Sequence, residues 1–104
     1  MITLNIEQGL IDLDSWDDLL TRPGFIATLD PKEHELHGVI GRYHEFEKQP
    51  CGLTECRTPH LRGYVVTTKE GLLTNIGKDC GKKYFGVEFE NMSRDFDRRV
   101  SARD

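Results

Sequence analysis

The residues best suited to chemistry lie between Cys51 and Gly86. All three cysteines are there, with His60, in the order Cys51-x4-Cys56-x3-His60, then nineteen residues, then Cys80. Three thiols and one imidazole form the donor set of a closed, four-coordinate Zn2+ site, and both short gaps match the spacing of about two to four residues common between paired ligands. Cys51 and Cys80 are each followed by Gly, and Pro59 precedes His60. Such residues let backbone turn tightly around a sulfur. His34, His37 and His44 are alternative donors for the fourth position. Three other readings of the thiols stay open: buried apolar cysteines, a Cys51–Cys56 disulfide with Cys80 left over, and a reactive thiol.

A shared metal requires the chain to bring residue 80 back beside residues 51–60. Gly63–Thr68 is β-branched and aromatic, Lys69-Glu70-Gly71 signals a turn, and Leu72–Ile76 returns as a second strand. Asp79 is placed to cap a helix from about Cys80 to Gly86. A thiolate at that helix start is favoured electrostatically, whether as a metal ligand or as a nucleophile.

The remaining elements follow from pattern. Met1–Ile6 alternates as a half-buried strand does and breaks at Gln8-Gly9; Leu10, Ile11 and Leu13 form a second short apolar segment. Asp14 or Ser15 offers a helix N-cap with Asp17 and Asp18 in the first turn. Trp16, Leu19 and Leu20 share one face of that helix, with Trp16 a core anchor, and Pro23-Gly24 stops it. Phe25–Leu29 is a short strand candidate. Glu35–Glu47 reads as a strand bent at a glycine, and Lys48-Gln49-Pro50 as a connector. Phe85, Phe89, Met92, Phe96 and Val100 recur at helical spacing, so the tail is an amphipathic helix that packs back on the domain or begins a coiled coil. The expected fold is α+β: a small antiparallel sheet with a β-hairpin, a short N-terminal helix and a C-terminal helix, stapled by one zinc site. Residues 1–86 form one domain in which residues 1–50 share the core. Residues 87–104 form the charged helix, which continues into a longer protein if the chain is a fragment.

With 104 residues, 31% charged and 37% hydrophobic, the chain suits one domain with a modest core, and a structural metal adds folding free energy to such a domain. No apolar run approaches the roughly 18 residues of a membrane span. No secretory signal pattern is present, and an odd number of cysteines in metal spacing suits a reducing cytoplasm. The net charge of −4 divides unevenly: residues 1–50 carry four basic and ten acidic side chains, residues 51–104 ten basic and eight acidic. Within residues 57–83 there are six basic side chains against two acidic.

Cys51 and Cys56, the hairpin, Gly77-Lys78-Asp79-Cys80 and Phe85-Gly86 resemble small treble-clef or zinc-ribbon modules of uncharacterised bacterial and phage proteins. In those modules a cysteine pair leads into a hairpin, then Gly-x-x-Cys and a short helix. The resemblance covers residues 51–86 and implies zinc. It supplies neither a reaction nor a partner.

The expected function is a non-enzymatic, zinc-stabilised macromolecular-interaction domain. Four protein ligands leave no open metal position, and no His-x-Glu or His-Glu-x-x-His pattern accompanies the site. Neither Gly77-Lys78 nor Gly81-Lys82 is followed by Ser or Thr, which excludes a phosphate loop of that kind. Arg57, Arg62, Lys78, Lys82, Lys83 and Tyr84, with Tyr64 and Phe85 nearby, form the candidate surface for a nucleic acid, although the pI near 5.5 is far from a basic footprint. A protein partner is equally consistent, reached through the acidic N-terminal half or by oligomerisation of the C-terminal helix. The alternative function is a thiol enzyme with Cys80 as nucleophile and His60 as base.

Overall fold

The computed structural model describes residues 1–6 and 9–103. It is α+β, built on one five-stranded antiparallel sheet of order β2-β1-β3-β4-β5. The strands are β1 (Ile2–Ile6), β2 (Gly9–Leu13), β3 (Leu36–Pro50), β4 (Pro59–Thr68) and β5 (Leu73–Ile76). The helices are α1 (Trp16–Leu20) and α2 (Lys78–Arg103). The expected break at Gln8-Gly9 falls partly outside the described residues, as does Asp104.

Local chemistry explains most boundaries. The Ser15 hydroxyl caps α1 by accepting from the Asp18 amide at 3.3 Å, with Asp17 and Asp18 in the first turn. Leu19 is buried, while Trp16 sits edge-on to the Tyr43 ring at 4.9 Å and Leu20 is exposed. The turn between β4 and β5 closes with Gly71 donating to Thr68 and Thr68 donating to Leu72. β3 shifts register against β4 at Leu36/Gly38, at Val39/Gly41 and at His44/Gln49, so the bend expected at a glycine is present.

Two expectations need correction. Phe25–Leu29 is not a strand; it makes only single parallel bridges, Phe25 to Leu73 and Leu29 to Leu53. Its backbone is served from two directions: Ile26 bonds to Leu73 and to the Thr74 hydroxyl, and Leu29 to Gly52 and Thr54. Lys48-Gln49-Pro50 is not a connector. Gln49 pairs with His60 and Pro50 with Pro59, so both central strands run to the edge of the cysteine loop.

The two faces of the sheet bury separate clusters. One contains Ile2, Leu4, Leu19, Tyr43 and Val65, with Trp16, Phe25 and Ile40 packed against it. The other contains Leu29, Leu36, Cys51, Leu53, Val66, Ile76 and Phe89. Residues 1–50 thus contribute to both cores. Fully burying a side chain such as Phe89 or Leu53 stabilises by about 1.5–3 kcal/mol.

α2 breaks at Gly86, whose φ of 68° and ψ of −147° leave the helical region. Glycine adopts this conformation without steric cost. The break lets the second half of α2 turn so that the Phe89 ring lies on Gly81, where a Cβ would overlap it. Phe89, Phe96 and Val100 are buried and Phe85 and Met92 half-buried against the same chain. Packing back on the domain, rather than a coiled-coil seam, therefore accounts for the apolar stripe. No helix among the described residues is long and apolar enough to cross a membrane.

Candidate metal centre

One loop and one helix bring three thiols to a single corner of the molecule. Cys51 directly follows β3 and is fully buried, Cys56 lies in the loop between β3 and β4, and Cys80 occupies the first turn of α2. Their three Sγ atoms lie within 4.8 Å of one another. In this structure Cys56 and Cys80 are joined as a disulfide and Cys51 is the free thiol. The pairing considered from sequence, Cys51 with Cys56, is not the one formed. The loop returns Cys56 toward the start of α2, 24 residues onward in the chain.

The loop carrying Cys51 and Cys56 is tied down on every side. Cys51 N–H donates to Thr58 O, Gly52 N–H to Asn75 O, and Cys56 and Arg57 both donate to Leu53 O. The Arg57 guanidinium donates to Ala27 O and Cys51 O, each at 2.8 Å. Gly52 is needed here because a Cβ would stand 2.6 Å from Asn75 O and overlap the Thr74 side chain. Thr58 Oγ1 lies 3.5 Å from Cys56 Sγ.

Thiolates are soft donors that suit zinc and other thiophilic metals rather than magnesium or calcium. Ideal tetrahedral zinc holds sulfur at about 2.3 Å, which puts the sulfurs roughly 3.8 Å apart. The three sulfurs lie within 4.8 Å of one another, with the Cys56–Cys80 pair bonded, so a metal requires that pair to separate. Metal binding requires the Cys56–Cys80 pair to be reduced, so the corner has two chemical states: three thiolates that can hold a metal, or one disulfide and one thiol.

His60 is not part of this group. Its Nε2 is 2.6 Å from the Tyr43 hydroxyl and its Nδ1 3.0 Å from Thr58 O. Asn75 Nδ2 donates to the same hydroxyl at 3.3 Å and to Pro50 O at 2.9 Å. One assignment satisfies every group: Asn75 donates to Tyr43, Tyr43 donates to Nε2 of neutral His60, and Nδ1–H donates to Thr58. Burial holds the His60 pKa below its ordinary value, against the opposing pull of the Thr58 carbonyl. Burial likewise pushes the Tyr43 hydroxyl far up. The other histidines also stand apart from the thiols: His34 contacts Glu70 at 3.1 Å, and His37 and His44 are exposed on β3.

The structure divides the basic residues singled out from sequence. Arg57 is committed to the cysteine loop. Lys82 pairs with Glu90 at 3.3 Å across the Gly86 break. Lys83 lies over the Tyr84 ring at 5.4 Å, and the Tyr84 hydroxyl donates to Glu55 O. Arg62 and Lys78 instead line a groove of about 730 Å³ with Arg42, His44, Phe46, Tyr64 and Asp97. Tyr64 donates to Asp97 Oδ2 at 2.7 Å and Arg42 to Asp97 Oδ1 at 3.0 Å. Burial, and then Asp97, push the Tyr64 pKa up to about 12. Arg42, Phe46 and Asp97 carried no signal in the sequence: the strand register and the bend of α2 bring them together.

No family model, no curated protein and no solved structure matches this chain.

Proposed function

We propose that this chain is a non-enzymatic macromolecular-interaction domain in which Zn2+, held by Cys51, Cys56 and Cys80, fastens the start of α2 to the end of the sheet. The observation that carries this reading is the meeting of two thiols of the β3–β4 loop and one of α2 within 4.8 Å. Zinc fits because the donors are thiolates and the corner offers no redox-active partner besides them. His60 spends both ring nitrogens on Tyr43 and Thr58, so the fourth ligand is water or a group from outside the triad. The non-enzymatic reading therefore rests on the lack of a His-x-Glu or His-Glu-x-x-His pattern in the sequence rather than on a closed ligand set. The Arg57 guanidinium, bonded to Cys51 O, offsets the single negative charge of Zn2+ with three thiolates. The order of cysteine knuckle, hairpin and helix-borne cysteine is similar to that of treble-clef modules. The alternative of Cys80 as nucleophile with His60 as base draws no support from a His60 already satisfied by other groups.

The reading is tested with Cys56→Ser and Cys80→Ser, purified under reducing conditions. Each is expected to lose zinc and to unfold at lower temperature than the parent protein. Parent-like stability in both variants would count against a stapling metal.

A further inference from the structure

We propose that the groove between β3, β4 and the two ends of α2 binds a short stretch of single-stranded nucleic acid. This rests on the recognition-domain reading and names its partner. Four basic residues, Arg42, Arg62, Lys78 and Arg103, line the groove against two acids, Glu45 and Asp97, on a protein of net charge −4, with Arg103 paired to Asp12 at 3.3 Å. The positive character is therefore a local feature. The acids are already engaged: Asp97 by Arg42 and Tyr64, and Glu45 by the Met1 amine at 2.9 Å. Arg62 and Lys78 are exposed and have no ion-pair partner among the described residues.

Phe46 decides between polyanions. Its side chain is fully exposed at 104% relative accessibility, on a strand, at the groove wall. His44, also exposed, pairs across the strands with Arg62, so an aromatic ring and a cation stand side by side. Alternating ring and cation is the arrangement that stacks a base while neutralising its phosphate. An acidic peptide would use the cations and leave the ring in water. A duplex hides its base faces, so only a single strand uses both. The volume of about 730 Å³ lies within the roughly 300–1,000 Å³ of binding clefts.

The test is fluorescence anisotropy of the reduced, intact protein with labelled ten-nucleotide oligo-dT and oligo-rU, the matching duplex, and polyglutamate. Both single strands are expected to bind, with duplex and polyglutamate much weaker. Two phosphate contacts predict a loss of about tenfold between roughly 50 and 250 mM salt. Phe46→Ala is expected to weaken single-strand binding about tenfold, corresponding to the loss of one stacked base. Arg62→Glu with Lys78→Glu is expected to abolish binding, and Lys83→Glu, whose side chain lies over Tyr84 outside the groove, to leave it unchanged. Binding to no strand, equal binding of polyglutamate, or indifference to Phe46→Ala would each overturn the proposal. Zinc content is measured on the same samples. Absent binding with zinc retained counts against the groove alone, and absent zinc counts against the metal reading.

Discussion

The Tyr43 hydroxyl stands 2.6 Å from His60 Nε2, and this contact engages the imidazole apart from the three thiols. With Nδ1 on Thr58 O, His60 is held neutral in a chain from Asn75 to Thr58. Because the folded state lowers the His60 pKa, its contribution to stability is present above the ordinary value of about 6.5 and is lost as pH falls through the lower folded value. Urea midpoints at pH 7.5 and pH 5.5 should therefore differ more for the parent than for His60→Gln. The same variant should keep its zinc. Equal pH dependence in both proteins, or loss of zinc from His60→Gln, would show that the ring is not held as described.

Phe89 is the second point of tension. It is fully buried, lies on Gly81 across the break at Gly86, and meets Tyr64 edge-on at 5.7 Å. Phe89→Ala should cost about 3–5 kcal/mol in denaturant unfolding. A cost under about 1 kcal/mol would mean that the second half of α2 does not pack on the sheet.

Arg57 joins the cysteine loop to residue 27 through two carbonyls. It has a φ of 55°, so the backbone conformation itself is unfavourable for a side-chain-bearing residue. Arg57→Ala should destabilise by about 1–3 kcal/mol, since hydrogen bonds from charged donors are among the stronger ones. It should also release zinc to a chelator faster than the parent does. Unchanged release would assign Arg57 to the surface rather than to the site.

Much of this architecture is legible from local pattern. The alternation of β1, the Ser15 cap, the turn at 69–71 and the glycine break at Gly86 each have a signal within a few residues, and the hairpin between Cys56 and Cys80 makes the convergence of the cysteines legible across 24 residues. What escapes is set by long-range pairing. Pro50 and Pro59 look like loop residues, yet they pair across the ends of β3 and β4. Phe25–Leu29 has strand composition, but its partners lie at the end of β5 and in the cysteine loop, which offer single bridges only. His60 has ideal ligand spacing, but the register of β3 against β4 brings Tyr43, 17 residues away, to its ring. The groove is hidden for the same reason: Arg42, Arg62 and Asp97 meet only after the sheet and α2 have assembled.

The most direct test of the stapling metal is elemental mass spectrometry with thiol titration on protein purified under reducing conditions, before and after peroxide. The account predicts one zinc per chain with all three thiols protected until chelator is added. Peroxide should then take two electrons from the Cys56 and Cys80 thiolates, form their disulfide, release Zn2+ and leave one thiol at Cys51. Reduced, folded protein with no zinc and three freely titrating thiols would contradict the account.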